Sequence, residues 1–314
     1  MVRSDASLSL TYIEKRTVLM LISNKLESID SLSKSEEVLA NYILNEKENI
    51  ENLSTKDLAN ATYTSPSTVV RLSQKLGFSG WNELKEKYIE ELQYLNNHFS
   101  DVDPNFPFEA HDSFINVASK VAHLAANSIE DTLSLLKNDE LKKAVDLLNK
   151  AQMINVYGSS NSLLMAYDFK HKMLRINRHV EIMNLPGEQM VVASNSSPKN
   201  CAILISYSGE NEEVLKIAEM LKNKNTPTIV LTSIGENTLR SFGDCAFSIS
   251  TREKLYSKIA TYSSNDSIHL ILDILYSCLF KINYNFNLEY KTNISKEIDP
   301  RFSTINLIKE QNEL

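Results

Sequence analysis

The chain has 314 residues, of which 42% are hydrophobic and 23% are charged, and its formal net charge is −7. These values are typical of a globular chain long enough for two domains, and the negative charge excludes a wholly basic nucleic-acid binder but not a small basic head on an acidic body. No apolar run approaches the roughly 18 residues of a membrane span, so no membrane partner is expected. The three cysteines lie far apart in apolar sequence, which indicates buried thiols in a reducing cytoplasm. No cofactor or metal is expected.

The N-terminal part of the chain has a helical pattern. Residues 1–19 show no clear relation to the rest of the chain, and Met20 begins a segment typical of a natural start. Residues 1–19 are therefore expected to be an alternative start or an extension. From residue 21 to about 95, apolar residues recur at intervals of three or four, which predicts helices. A segment with two prolines and no periodicity comes next, at 101–108, so we predict a helical domain at 20–97 and a linker at 98–112.

Two short helices within this domain, separated by residues 62–64, indicate a helix-turn-helix. In the second helix Ser65 is a good N-cap, Pro66 suits the first helical position and Gly77 is a natural stop. Its apolar residues share one face, and the other positions carry hydroxyl, amide and cationic groups that can reach base edges and phosphates in the major groove. The candidate DNA-contacting residues are Ser65, Ser67, Thr68, Arg71, Gln74 and Lys75. A plain helical hairpin with a solvated face would give the same pattern.

The remainder of the chain predicts an α/β domain at 113–287. Two amphipathic helices are expected at 113–136 and 138–150, and short apolar strands then alternate with helices, which implies a parallel sheet covered on both faces. The predicted strands are 153–157, 180–183, 201–205, 228–231 and 245–249. The predicted helices are 162–176, 187–195, 212–224 and 264–281. Residues 288–314 form a polar, weakly patterned tail that is expected either to pack on a neighbour or to be mobile.

Two hydroxyl-rich loops of this domain contain Gly158 and Gly209. The chain has only 7 glycines, against a usual level of roughly 7% of residues, so these two are expected where no side chain fits. Each follows a predicted strand and precedes a helix, where backbone N–H groups and the helix dipole favour anions. The two loops could line one crevice at the carboxyl ends of parallel strands. An ordinary serine-capped turn is the alternative for each loop.

Together the two halves resemble the RpiR family of bacterial transcription regulators, which join a helix-turn-helix domain to a SIS (sugar isomerase) domain. The resemblance covers roughly residues 20–285. In the first half it rests on Leu58-Ala59, Ser65, Thr68-Val69-Val70-Arg71 and Lys75-Leu76-Gly77-Phe78-Ser79-Gly80-Trp81-Asn82-Glu83-Leu84-Lys85. In the second half it rests on Gly158, Ser162, Asp168-Phe169-Lys170, Lys172, Leu174, Ile205-Ser206-Tyr207-Ser208-Gly209, Ser264, Leu270 and Asp273. The chain departs from the family where Asn211 replaces a threonine, where Asn265 replaces an arginine, and where Ser160 and Asn161 stand in place of a second glycine.

The resemblance implies a regulator that binds double-stranded operator DNA, responds to a phosphosugar and assembles as a homodimer or homotetramer. Paired DNA-binding heads would match a palindromic operator. The phosphate would be held by Ser206, Ser208, Asn211 and the backbone N–H groups of Gly209 and Glu210. Ser159, Ser160 and Ser162 would reach the phosphate or the sugar hydroxyls, and Ser264 belongs to the same ligand-binding set.

A phosphosugar isomerase with the same sheet is the competing class. Isomerisation needs a general base near the reacting carbons, and the candidate bases are Glu188, Glu210, His171 and His179. A helix-turn-helix domain has no role in that reaction. The sequence therefore favours a regulator of sugar-metabolism genes that is not an enzyme.

Overall fold

A computed structural model describes residues 22–28, 32–97, 102–185, 187–299 and 301. Residues 1–21 lie outside this range, and so does the predicted start at Met20. In the described part of the chain, no helix is long and apolar enough to cross a membrane.

The N-terminal part of the described chain is helical, as predicted. Its α-helices are α1 (Ile22–Ser28), α2 (Lys34–Glu46), α3 (Thr55–Ala61), α4 (Pro66–Lys75) and α5 (Trp81–Asn97). Leu39, Leu58, Leu72 and Leu84, from four different helices, are buried in one apolar cluster. The Trp81 indole belongs to that cluster and donates from Nε1 to the Leu53 carbonyl at 2.9 Å. This core fixes α4 against its neighbours.

The caps of α4 are those that the sequence predicted. Ser65 is the N-cap and its Oγ accepts from Thr68 N at 3.2 Å, while Pro66 occupies the first turn. Gly77 follows the helix with φ +96°, a left-handed conformation in which glycine carries no side-chain penalty. Val69 and Leu72 on the predicted apolar face are each 1% exposed. The helix-turn-helix prediction for α3 and α4 therefore agrees with the local structure.

The second part is an α/β domain with a five-stranded, all-parallel sheet, which confirms the predicted fold class. Two helices, α6 (Phe114–Ser134) and α7 (Asn138–Lys150), precede the sheet. The strands are β1 (Met153–Gly158), β2 (Val180–Ile182), β3 (Asn200–Ser206), β4 (Thr228–Ser233) and β5 (Cys245–Ile249). The helices among and after them are α8 (Asn161–Leu174), α9 (Glu188–Ser194), α10 (Glu212–Asn223), α11 (Ser263–Ile282) and α12 (Tyr284–Ile298).

The strand order is β2-β1-β3-β4-β5. The chain moves outward from β1 to β2, then returns to the other side of β1 for β3 and continues in the opposite direction. The carboxyl ends of β1 and β3 therefore flank the topological switch point, where ligands bind in open parallel sheets. Gly158 and Ile205 are paired in the β1–β3 register, so the loops after these strands start side by side.

Both faces of the sheet are covered. Ile203 and Ile205 belong to the apolar cluster that includes residues of α7, α8 and α11, whereas the alternate residue Leu204 belongs to a second cluster with residues of α9 and α10. Side chains on a strand alternate between faces, and apolar residues on both faces produce the near-continuous apolar run of a buried parallel strand.

The C-terminal region differs from its prediction. Helix α12 continues to Ile298, so the domain boundary predicted at 287 falls inside a helix, and residues 288–298 of the expected tail are helical. Residues 300 and 302–314 of that tail lie outside the described residues. The Asn287 side chain anchors this helix through a 2.9 Å hydrogen bond from Nδ2 to the Phe280 carbonyl. The helix was missed because its exposed positions are mostly polar and its hydrophobic periodicity is weak.

Candidate functional site

A crevice of about 210 Å³ lies at the carboxyl ends of β1 and β3. Its walls come from three segments: the loop and helix start after β1, the loop after β3, and the residues between β5 and the first turns of α11. The lining residues are Ser159, Asn161, Ser162, Ser206, Tyr207, Ser208, Asn211, Leu255, Lys258, Thr261, Ser264, Asn265 and Ile268. The two hydroxyl loops that the sequence singled out are thus brought together at the switch point.

The loop after β3 turns sharply at Gly209, whose φ is +69°. A Cβ at this position would lie 2.1 Å from Asn237 Oδ1, so both the conformation and the close approach require glycine. The Gly209 carbonyl also accepts from Leu239 N at 3.0 Å. The turn is therefore held from outside the crevice, and it directs Ser208 and Asn211 into the crevice wall.

Two backbone N–H groups that were predicted to bind phosphate have hydrogen-bond partners within this loop. Gly209 N donates to the Ser206 carbonyl at 3.2 Å, and Glu210 N donates to Ser208 Oγ at 3.2 Å. Both N–H groups are thus satisfied within the loop, and neither Gly209 nor Glu210 is among the lining residues. The side chains of Ser206, Ser208 and Asn211 line the crevice and remain the candidate anion-binding groups of this loop. Asn211 uses Oδ1 to cap α10 through Val214 N at 3.0 Å, which leaves its amide N–H₂ as the donor.

The loop after β1 contributes Ser159 and Ser162 to the crevice, whereas Ser160 is not among the lining residues. Ser160 has φ +45° and ψ −117°, a conformation that glycine normally occupies. The strained backbone lies at the place where the sequence departs from the family's second glycine. Gln189 braces the start of this loop, since it accepts from Gly158 N at 3.1 Å and donates to the Gly158 carbonyl at 3.0 Å.

Lys258 is a crevice residue that sequence reasoning missed. Among the described lining residues it is the only cation, and its ammonium lies 2.9 Å from Glu253 Oε2 and 5.5 Å from the centre of the Tyr207 ring. The Glu253 side chain is fully buried and that of Lys258 is 13% exposed. An ammonium beside two serine hydroxyls is a suitable partner for a phosphate. Because Lys258 lies in an irregular segment about 50 residues after Ser208, no local pattern pointed to it.

Ser264 lies in the wall but is already committed to Glu253. Its Oγ donates to Glu253 Oε2 at 2.8 Å and its backbone N donates to Oε1 at 3.3 Å. Glu253 therefore joins Ser264 and Lys258 at one carboxylate. Ser264 lines the crevice, and its direct contact with a ligand stays a prediction.

Two asparagines close the end of the crevice near α8. Asn161 Nδ2 donates to Asn265 Oδ1 at 2.8 Å, and Asn265 Nδ2 donates to the Thr261 carbonyl at 2.8 Å. Asn265 stands where the family has an arginine, so this end of the crevice is neutral in the present chain. A neutral amide pair suits hydroxyl or amide groups of a ligand better than a second negative charge.

A cluster of acidic residues and a histidine joins α8 to α11 outside the crevice. Ligand atoms of Asp168, His269 and Asp273 lie within 4.8 Å of one another. However, the Lys172 ammonium lies 2.7 Å from Asp168 Oδ2 and also contacts Asp273. The ammonium pairs with both carboxylates of the cluster, and its contact with Asp273 links α8 to α11.

The four candidate general bases do not line the crevice. Glu188, His171 and His179 are exposed, and the Glu210 carboxylate accepts from Thr238 N at 2.8 Å. None of them therefore lies in the wall of the crevice.

The predicted DNA-contacting face of α4 is largely exposed, and Arg71 is fixed on it by a neighbouring helix. The Arg71 side chain is 63% exposed, and its Nε donates at 2.9 Å to Oε1 of Glu36 on α2, a carboxylate only 4% exposed. Lys75 Nζ donates to the other carboxylate oxygen at 3.2 Å. Glu36 engages Arg71 through Nε, and the guanidinium side chain is still mostly exposed. Ser65, Ser67 and Gln74 are also exposed.

Thr68 differs from the expectation, and Tyr63 was missed. Thr68 is only 8% exposed and its Oγ1 lies 2.9 Å from Ser65 Oγ, so it supports the helix start rather than presenting a hydroxyl to DNA. Tyr63, in the turn between α3 and α4, has φ +53° and is 99% exposed. A fully exposed aromatic residue in this turn is a further candidate for a DNA contact.

Comparisons with known proteins agree with both halves of this description. Residues 17–94 match the helix-turn-helix domain of the rpiR family, and residues 147–276 match the SIS domain. An uncharacterised HTH-type transcriptional regulator of Caldanaerobacter subterraneus subsp. tengcongensis is 29% identical over 275 residues, which cover 88% of this chain and 95% of the relative. A second such regulator, from Bacillus subtilis, is 26% identical over 246 residues, which cover 78% of this chain and 85% of the relative.

Solved structures share the fold. The NanR protein of Vibrio vulnificus, complexed with ManNAc-6P, is similar with a TM-score of 0.56 at 22% identity, covering 89% of this chain and 100% of that one. The sugar isomerase domain of an RpiR transcription factor from Sphaerobacter thermophilus has a TM-score of 0.51 at 14% identity, covering 57% of this chain and 98% of that one. The two domain matches, found in the order that the resemblance predicts, show that the chain belongs to the RpiR family of helix-turn-helix transcription regulators with a SIS domain.

Proposed function

We propose that this regulator binds operator DNA through α4 and senses a phosphosugar in the crevice at the carboxyl ends of β1 and β3, without converting it. The observation that carries the proposal is the crevice itself, in which Ser206, Ser208 and Lys258 converge from two separate segments. Two hydroxyl donors and an ammonium provide charge-assisted hydrogen bonds to a phosphate. The neutral Asn161–Asn265 pair suits the uncharged hydroxyls of a sugar. The genes under control would be those that handle this sugar.

A sensing role is favoured over isomerisation by what surrounds the crevice. The candidate bases Glu188, His171 and His179 are exposed away from it, and Glu253 near it is bonded to Lys258 and Ser264. A carboxylate that is held by an ammonium and a hydroxyl is poorly placed to remove a proton from a sugar carbon. The NanR structure, which was solved with ManNAc-6P, shows that a protein of this fold can hold a phosphosugar.

A thermal-shift screen of sugar phosphates tests this function. Ligand binding to the folded protein should add about 2.7 kcal/mol of stability when the ligand is about 100-fold above its Kd. The panel contains hexose 6-phosphates, their N-acetylamino derivatives and the unphosphorylated sugars as controls. The expected result is a shift with at least one phosphorylated sugar and none with its unphosphorylated parent. Conversion of that sugar phosphate at enzymatic rates by the purified chain would instead support the isomerase class.

Arg71→Ala should weaken operator binding by about 1–3 kcal/mol if the guanidinium reads a guanine. Fluorescence anisotropy with labelled operator DNA measures the loss, and circular dichroism checks that the helices remain. Lys47→Ala, which removes a cation from the same domain but not from α4, is the control for a general loss of positive charge. Unchanged affinity of a folded Arg71→Ala protein would contradict the assignment.

Lys258→Met should weaken phosphosugar binding by about 1.5 kcal/mol, or roughly tenfold, because it removes a charge-assisted contact to the phosphate. Isothermal titration calorimetry with the sugar phosphate found in the screen measures the change. Lys224→Met, an exposed lysine of the same domain outside the crevice lining, is the control. Lys258→Arg keeps the charge and should retain most of the affinity. Equal affinity of Lys258→Met and the parent would remove Lys258 from the proposed site.

We further propose that the protein assembles as a homodimer or homotetramer and binds a palindromic operator. Helix α6 leaves Phe114 97% exposed and Leu133 62% exposed, which supports an apolar interface. The apolar residues of α11 do not add to it, because Ile268, Ile271 and Leu275 are buried within the same chain. Light scattering at micromolar concentration tests the assembly, and a monomer would contradict it.

A further inference from the structure

The linker between the DNA-binding and SIS domains is docked on the SIS domain through Asn105. This residue is 7% exposed and lies between two buried prolines, Pro104 and Pro107. Asp103 Oδ1 accepts from Asn105 N at 2.8 Å and from its Nδ2 at 3.0 Å. Burial works to raise the pKa of Asp103, but the hydrogen bonds from Asn105 and Phe106 and the charge of Lys254 hold that pKa below its ordinary value. The carboxylate thus stays charged and orients the Asn105 amide.

Asn105 holds both ends of a loop that lines the crevice. We call residues 251–262, between β5 and α11, the crevice loop. At the near end, Asn105 Nδ2 donates to the Arg252 carbonyl at 3.4 Å and Oδ1 accepts from Lys254 N at 2.7 Å. At the far end, the Asn105 carbonyl accepts from Ile259 N at 2.9 Å. One linker residue therefore closes the segment 252–259 into a ring, and Leu255 and Lys258 of the crevice wall lie on that ring.

Inside this ring, Glu253 connects the crevice loop to the loop after β3. Its carboxylate accepts from Lys258 Nζ at 2.9 Å. Its backbone makes two hydrogen bonds with the Tyr207 hydroxyl, which donates to the Glu253 carbonyl at 2.7 Å and accepts from Glu253 N at 3.0 Å. Tyr207 lies between the two serines proposed to bind phosphate. Direct hydrogen bonds thus run from the β3 loop through Glu253 to the residues that Asn105 holds.

An anion in the crevice changes the balance of charge at Lys258. A phosphate on Ser206 and Ser208 competes with Glu253 for the ammonium. A fully buried carboxylate that loses its cation is costly, so the crevice loop has a reason to rearrange when the anion binds. The loop cannot move without disturbing the N–H groups of Lys254 and Ile259, which are bonded to Asn105. A ligand shifts a conformational equilibrium only through such differential interactions.

We propose that Asn105 couples anion binding in the crevice to the interdomain linker: an anion that engages Lys258 displaces the crevice loop and loosens the contacts that hold residues 102–112. This inference rests on the proposed phosphate site. It provides a route by which an effector in the SIS domain alters the attachment of the DNA-binding domain, and it assigns that route to one asparagine.

Amide hydrogen exchange of the full chain, with inorganic phosphate as the probe, tests the coupling. Thermal shift establishes first that phosphate binds. In the parent protein, phosphate should raise deuterium uptake in peptides that cover 102–112 and the Lys254 and Ile259 amides, because their protecting hydrogen bonds open more often. In Asn105→Ala, phosphate should still give a thermal shift, but uptake in these peptides should be high without phosphate and should not respond to it. Asn116→Ala, an exposed asparagine on α6, should behave as the parent.

Asp103→Ala provides a second route if Asn105→Ala fails to fold. Asp103 is exposed, and its loss releases the Asn105 amide without opening the core, so the phosphate-dependent rise in linker uptake should be reduced. If phosphate binds to the parent but deuterium uptake in its linker does not change, the coupling is refuted and the phosphate site still stands. The coupling is also refuted if phosphate still raises deuterium uptake in the linker of Asn105→Ala. If phosphate gives no thermal shift in the parent, both the proposed site and the coupling are contradicted.

Discussion

We expect the Ser206→Ala/Ser208→Ala protein to lose its response to the phosphosugar while it still binds operator DNA. Each hydroxyl is expected to donate to a charged phosphate oxygen, and a hydrogen bond to a charged group contributes about 1.5–3 kcal/mol. When the two contributions add, the pair should weaken binding by at least about a hundredfold. DNA binding should persist because α4 belongs to a separate apolar core.

The double replacement should also leave the SIS domain folded, although Ser206 is more buried than expected. Ser206 is the last residue of β3 and is 6% exposed, and alanine there removes only a hydroxyl. Ser208 Oγ accepts from Glu210 N, so its loss should cost about 1 kcal/mol of stability. This cost is small beside the expected loss of ligand binding.

Titration calorimetry with the sugar phosphate from the screen and anisotropy with operator DNA measure the two properties separately. Ser197→Ala/Ser241→Ala removes two hydroxyls from the same domain outside the crevice lining and controls for a general effect. A double mutant of Ser206 and Ser208 that responds to ligand like the parent would refute the phosphate assignment. Loss of DNA binding together with ligand response would instead indicate a damaged fold.

The sequence predicted those features that depend on neighbours along the chain. Ser65, Pro66 and Gly77 fixed the limits of α4 because capping is a local interaction. The five strands were found because apolar runs between turn residues are local too, and Gly209 was singled out because its turn joins a strand directly to a helix. The parallel sheet is then implied by the alternation of strands and helices.

Features that the sequence could not predict depend on contacts between distant residues. Lys258 enters the crevice only because Asn105 and Tyr207 fold the irregular segment around Glu253. The Glu210 N–H was predicted to bind the ligand because a helix start favours anions. In the structure this N–H donates to the Ser208 hydroxyl. Which partner such an N–H has depends on the geometry of the loop, and the spacing of residues in the sequence does not reveal it.

Glu36 is a second example of a distant contact, and its removal should destabilise the DNA-binding domain. Its carboxylate accepts from Ser33 N at 2.8 Å at the start of α2, and it holds both Arg71 and Lys75 of α4. The backbone hydrogen bond from Ser33, then those from Arg71, the Ser33 hydroxyl and Lys75, outweigh burial and lower the pKa of Glu36 from 4.5 to about 2.

The lowered pKa fixes the direction of the pH dependence. The folded state holds the charged carboxylate more strongly than the unfolded chain does, so the stabilisation is fully present above about pH 4.5 and is lost as the pH falls towards 2. At about 1.36 kcal/mol for each pH unit between the two pKa values, the contribution is on the order of 3 kcal/mol. Solvent around the exposed Arg71 partner reduces this figure somewhat.

Glu36→Gln should therefore lower the free energy of unfolding of the helical domain by about 2–3 kcal/mol at pH 7, and the difference from the parent should shrink steadily below pH 4.5. The single tryptophan of the chain, Trp81, is buried in this domain, so urea unfolding monitored by its fluorescence reports on the domain alone. Glu37→Gln changes the exposed neighbour on the same helix and should have little effect at any pH. If the stability of Glu36→Gln and of the parent differed by the same amount at pH 7 and at pH 3, the carboxylate charge would not be the source of the stabilisation. The stabilisation would then come from the hydrogen bonds at the start of α2, and the ion pair between Glu36 and Arg71 would contribute nothing to it.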